Sequence, residues 1–264
     1  MTATATPTTA QTRTLPRFGG FSLGMLALEL RRLIRNKRTV IFTFIMPAVF
    51  FLLFGTSANY KHEQVGNGNV TGYVMVSMAV YGAMLATTSG GAMVSIERAA
   101  GWSRQLRLTP LRPAAYIGVK LVLAMVIGAV SVAVVNVVGA FTGAELDTGP
   151  WIACALLSWV CSLVFAAFGL FMGYLLPSEN VMQILGPALG LLGLAGGLFV
   201  PVDKLGSTLE TIAKFTPVYG VGEVARYPLT HSDNLWQAIL SVVVWTALFA
   251  AGAIWRFRRD TARV

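Results

Sequence analysis

Residues 64–96 read QVGNGNVTGYVMVSMAVYGAMLATTSGGAMVSI, thirty-three positions without one Asp, Glu, Lys or Arg. A helix needs about 20 largely apolar residues to cross a hydrocarbon core, and this stretch is long enough. Five more charge-free stretches lie at 39–60, 121–144, 148–178, 180–202 and 234–255, each 22 to 31 residues long. None carries the polar outer face that a helix of a soluble bundle would need. The six stretches therefore predict an all-α membrane protein with six transmembrane helices.

Composition agrees with that reading. Of 264 residues, 55% are hydrophobic and only 12% charged, against about 25% charged in an ordinary soluble domain. This excludes disordered, collagen-like and disulfide-scaffold chains. The net charge of +9 would suggest nucleic acid in a soluble protein, but its distribution follows the membrane instead. With six crossings, both termini share a side holding 16 basic and 4 acidic residues, a net +12; the other side holds 4 basic and 7 acidic residues, a net −3. The positive-inside rule makes the first side cytoplasmic, and no nucleic-acid partner is expected.

Residues 1–20, rich in Thr and Ala, lack the apolar core of a signal peptide and are expected to form a mobile cytoplasmic tail. In 21–38, FSLGMLALELRRLIRNKR, Leu23, Leu26, Leu30, Leu33 and Ile34 share one sector of a helix, while Arg31, Arg32 and Arg35 point elsewhere. That is the pattern of an amphipathic helix in the membrane interface, with arginines toward anionic lipid headgroups and water, or of a simple positive anchor for the first span. Between the second and third spans, ERAAGWSRQLRLTPLRPAAYIGVK (97–120) can form a short basic helix stopped by Pro110 and Pro113, or a loop that only obeys the charge rule.

Two motifs of catalytic chemistry are missing from the sequence. There is no Gly-Lys dipeptide and so no phosphate-binding P-loop, and no HExxH zinc motif after His62-Glu63. No metal ligands or catalytic residues are assigned. Cys154 and Cys161 read as small apolar packing residues. Asn69-Val70-Thr71 fits a glycosylation sequon. In the fifth span Gly186, Gly190, Gly193 and Gly197 form a small-residue stripe suited to close helix approach, either within the chain or against a second subunit. Phe44, Met46, Phe50, Met75, Met78, Met84 and Phe165 could line a pathway for an amphipathic drug or lipid, or serve in packing and lipid contact. Leu205, Leu209, Ile212 and Phe215 suggest an apolar helical face in 203–233.

Two segments carry a family resemblance. Glu97-Arg98 with Gly101, Leu106, Thr109-Pro110-Leu111 and Lys120 resembles the segment between the second and third spans of ABC-2-type permeases, the membrane subunits of ATP-binding-cassette exporters, including the daunorubicin-resistance type. Gly197, Pro201, Leu205, Ile212, Pro217, Ala225 and Arg226 resemble that family's stretch around and beyond the fifth span. The resemblance implies a single transmembrane permease domain over 21–264 with an N-terminal interfacial helix, a cytoplasmic coupling helix and external re-entrant helices, in a bacterial plasma membrane. It further implies that Glu97, Arg98, Gly101, Trp102, Arg104 and Arg107 meet a separate nucleotide-binding ATPase subunit, present in two copies. At Trp102 and Arg104 the sequence departs from the family pattern. A second permease subunit would meet the first and fifth spans, including the glycine stripe. This chain would bind no cofactor, ATP and Mg residing on the partner, and would export a hydrophobic or amphipathic substrate. A passive channel or secondary carrier, or a membrane scaffold without transport, are the alternatives.

Overall fold

The computed structural model describes residues 23–56, 63–101 and 113–262. Its elements are almost all helical. α1 (Leu23–Arg35) is followed by α2 (Lys37–Val40), a π-helical turn (Ile41–Ile45) and α3 (Met46–Gly55). Pro47 accounts for the wide turn. Proline has no N–H to give the carbonyl four residues back, and its ring clashes there. The carbonyl left over, that of Thr43, instead accepts the buried Ser131 hydroxyl at 2.8 Å from the neighbouring helix α5 (Pro113–Phe141).

The expected second span divides into two structures. Its first six residues form an antiparallel hairpin, β1 (Gln64–Val65) and β2 (Gly68–Asn69), and only then does α4 (Val70–Ala99) begin. Absence of charge extended the predicted span too far, because Gly-Asn-Gly-Asn is turn chemistry and not apolar sequence. Asn69 is the helix cap. Its Oδ1 accepts the Gly72 N–H at 2.8 Å and the Glu145 N–H at 3.1 Å, and its amide donates to the Gly143 carbonyl at 2.9 Å. Fully buried and bonded at both ends, this asparagine acts as a structural knot, not an accessible sequon.

α4 is the axis of the bundle. It packs against α3, α5, α6 (Thr148–Cys161), α7 (Leu163–Leu175), α8 (Ser178–Ala195) and α10 (Pro217–Thr230). The crossing with α7 is close: a methyl group on Gly169 would fall 2.2 Å from the Thr88 carbonyl oxygen. Near that crossing Thr88 donates its hydroxyl to the Phe165 carbonyl, and Thr87 to the Ser162 carbonyl. The fourth span thus breaks at Ser162 into α6 and α7. Cys154 and Cys161 are free thiols, as expected.

Among the described residues, four helical segments are long and apolar enough to cross a membrane: Val70–Ala99, Ala115–Phe141, Thr148–Leu175 and Leu235–Arg259, the last within α11 (Leu235–Ala262). The chain is therefore an all-α membrane protein apart from its hairpin. The first and fifth expected spans appear as shorter helices in the same bundle. Ile41–Gly55 passes from the π-helical turn into α3 just before Pro47, and α8 contains Pro187 and stops at Ala195, before the Gly196-Gly197 turn.

Two ends can be distinguished. α1, the C-termini of α4, α7 and α11 and the start of α5 form a basic end. At the opposite end lie the hairpin, the α5–α6 loop, a 3-10 turn (Val202–Leu205), α9 (Ser207–Lys214) and α10. α9 is a surface helix with Ile212 exposed and Phe215 exposed just beyond it, whereas α10 buries ten residues and packs chiefly against α6, α11 and α4. At this end the hairpin turn closes on α10, where the Asn67 N–H donates to the Leu229 carbonyl and its side-chain amide to that of Pro228.

Candidate functional site

Of the two readings of α1, the interfacial helix turns its leucine stripe toward lipid. Leu26 and Leu30 instead pack, with Phe44, against Ala86, Leu123 and Ile127 of the bundle, while Leu28 and Ile34 are exposed. The packed stripe carries with it Glu29, at its edge and one turn on from Leu26. Glu29 thereby reaches the buried ammonium of Lys120 on α5 at 3.0 Å.

Lys120 is the centre of an ionic cluster. Only 1% exposed, it also donates to Glu97 Oε1 at 2.5 Å, and Glu97 is itself 4% exposed at the end of α4. The other Glu97 oxygen accepts the Tyr116 hydroxyl. Arg32 Nη1 approaches Glu97 to 3.6 Å with its side chain still 56% exposed. Two carboxylates thus face two cations, so the cluster is neutral, and a hydroxyl satisfies a further lone pair. A buried charge stays charged only under such conditions. Three helices distant in sequence, α1, α4 and α5, meet at these side chains.

Arg98, the next residue, points to the other side of α4. Its Nη1 donates to the Gly173 and Tyr174 carbonyls at 3.3 and 3.2 Å, and its guanidinium lies 5.4 Å from the Tyr174 ring centre. Both carbonyls belong to the last turn of α7, where a cation is favoured by the helix dipole. Gly101 then adopts φ +74° with open space where a side chain would be. Backbone conformation, not crowding, calls for glycine there. The chain leaves α4 at this turn, directly before 102–112.

Of the site residues expected from sequence, Glu97, Arg98 and Gly101 come together at this end with Arg32. Arg31 and Arg35 are exposed, and the structure gives them no ion pair within the cluster. Trp102, Arg104 and Arg107, like the tail 1–20, lie outside the described residues. The four glycines do not form one stripe. Gly186 and Gly190 have open space over their Cα atoms, Gly193 is covered by Phe199 and Tyr81, and Gly197 sits past the helix in a turn at φ +77° against Val202. Met75, Met78, Met84 and Phe165 are core residues. Phe50 instead joins an aromatic group with Phe54, Tyr81 and Phe199, ring centres 4.9 to 6.1 Å apart.

Sequence reasoning missed the roles of Glu29, Tyr116 and Lys120 in the cluster. Glu29, a lone acid on the apolar face of a basic helix, and Lys120, a charge abutting an apolar run, were visible signals. Their pairing was not.

Residues 23–229 match the family model described as ABC-2 type transporter. The chain belongs to the ABC-2 transporter membrane family. It is also similar to YvfS of Bacillus subtilis (strain 168), a protein whose name describes a transport permease, at 28% identity over 225 residues that cover 84% of this chain and 90% of YvfS. This ABC-2 family member is accordingly a multi-pass membrane protein of transporter type. In that context the cluster at Glu97 adjoins the segment expected to face an ATP-binding partner.

Proposed function

We propose that the chain is the membrane-spanning permease subunit of an ATP-driven exporter, crossing a bacterial plasma membrane six times with both termini and the basic end cytoplasmic. One observation carries the mechanism: the neutral cluster of Glu29, Arg32, Glu97, Tyr116 and Lys120, built around the buried pair Glu97 and Lys120 at the foot of α4, next to 102–112. Two partner ATPase subunits would hold ATP and Mg, since this chain offers no phosphate loop. Their motion would press on 102–112, with Trp102, Arg104 and Arg107 as contacts. Because Glu97 is pinned to α1 and α5 and Arg98 to α7, α4 moves with its neighbours and does not slip past them. Family membership and the permease relative support this reading.

A second permease copy would approach the outward-open surface at Gly186 and Gly190. Between copies, Phe50, Phe54 and Phe199 would offer an apolar aromatic wall to a hydrophobic or amphipathic substrate, a drug or a lipid. The test is co-purification of the permease with its ATPase and measurement of ATP hydrolysis and export for Glu97→Gln in that complex. Uncoupling is expected, with hydrolysis retained and export lost. Wild-type export and hydrolysis together would overturn the coupling role; export without any ATPase would make the chain a carrier or channel.

A further inference from the structure

A second buried charge lies at the opposite end of α4. Arg226 on α10 is 1% exposed. Its Nη2 pairs with Glu223 at 2.9 Å; its Nη1 donates to the Ser77 hydroxyl of α4 at 3.0 Å and to the Gly197 carbonyl, just past α8, at 3.2 Å. Its guanidinium also lies 4.9 Å from the Tyr73 ring centre. Gly222 makes room, since a methyl group there would come within 3.0 Å of Nη2. One side chain therefore fastens α10 to α4 and to the end of α8.

We propose that Arg226 is a releasable pin that holds α10 against α4 and the end of α8, at the end of the bundle opposite the Glu97 cluster. Releasability follows from incomplete bonding. Its Nε–H has no partner among the described residues, and a buried donor left unpaired disfavours the docked arrangement relative to one that water can reach. Ser77 and Glu97 lie on the same helix, twenty residues and so about 30 Å apart. Movement at the Glu97 cluster therefore reaches the pin through a single rigid element. That ATP drives the release rests on the transport reading above; that Arg226 fastens α10 does not.

The chain carries its own reporter. Cys154 on α6 is buried with its thiol beside the Leu229 main chain of α10, and Cys161 is the only other cysteine. In a Cys161→Ala background, the rate of N-ethylmaleimide labelling of Cys154, read by mass in nanodiscs, follows detachment of α10. Arg226→Lys keeps the charge but cannot reach all three acceptors. It should speed labelling about ten- to hundredfold, as expected for loss of hydrogen bonds to a buried charged group. Ser77→Ala should speed it severalfold. Thr88→Val removes a buried hydroxyl of α4 that faces α7 and should leave the rate unchanged. Unchanged labelling in both Arg226→Lys and Ser77→Ala overturns the pin, as does equal acceleration by Thr88→Val. Should Arg226→Lys fail to fold, Ser77→Ala decides by the same criterion. In the complex, ATP with vanadate should accelerate labelling in the parent and not in Glu97→Gln. Acceleration by Arg226→Lys without any ATP effect would overturn the ATP-driven reading and leave the pin standing.

Discussion

Replacing Lys120 by Met removes the cation shared by Glu97 and Glu29 while conserving much of its volume. Both carboxylates then stay buried, Glu97 keeping only Tyr116 and the longer 3.6 Å approach of Arg32. Stranding one side of a buried pair costs about 3–5 kcal/mol. For a chain of this size each kcal/mol moves the midpoint about 2–4 °C, so Lys120→Met should lower the unfolding temperature by roughly 10 °C. Glu97→Gln is milder, about 1.5–3 kcal/mol, the worth of hydrogen bonds to charged groups, because Lys120 retains Glu29 at 3.0 Å. In the double variant no charge is left without its partner at that contact, so its cost should fall below the sum of the singles by about 1–3 kcal/mol. Thermal unfolding of the detergent-solubilised protein, followed by tryptophan fluorescence, measures all four proteins. Additivity within about 0.5 kcal/mol would refute the cluster as a coupled unit.

The π-helical turn gives a conditional prediction. Ser131→Ala should cost about 1–3 kcal/mol by orphaning the Thr43 carbonyl, yet approach neutrality in Pro47→Ala, where an N–H becomes available to that oxygen; equal melting shifts in both backgrounds would contradict it. Asn69→Ala should lower stability by at least the roughly 1 kcal/mol typical of a lost helix cap, since it also releases the α5–α6 loop; limited proteolysis of the intact chain should show new cleavage near 143–145. Gly190→Leu should leave monomer melting unchanged and reduce any permease–permease assembly seen by light scattering, whereas Gly193→Leu should lower melting itself, because Phe199 and Tyr81 already fill that space.

Much of the architecture follows from where charge is absent. Each of the four long spans among the described residues is built on a charge-free stretch and runs past it by at most a turn or two, and the end of the second span at Glu97-Arg98 coincides with the C-terminal end of α4. Lack of charge is not the same as helix. Gln64–Asn69 is polar and glycine-rich, and pairs as a hairpin. Gly197 falls on a helical stripe by spacing, but its left-handed φ puts it in a turn. Amphipathicity alone does not say which apolar phase, bilayer or bundle, a stripe enters, and Leu26 and Leu30 enter the bundle.

The sequence by itself determined a basic-ended, helical membrane protein, because the cost of placing charge in hydrocarbon confines Lys, Arg, Asp and Glu to the ends of its spans. Only the tertiary structure decided which of those end charges are buried together. Glu29, Glu97 and Lys120, and likewise Arg226 with Ser77 and Gly197, are far apart in the chain. Their pairing depends on helix packing that sequence spacing does not encode, and it is this packing that turns scattered terminal charges into two clusters at opposite ends of one helix.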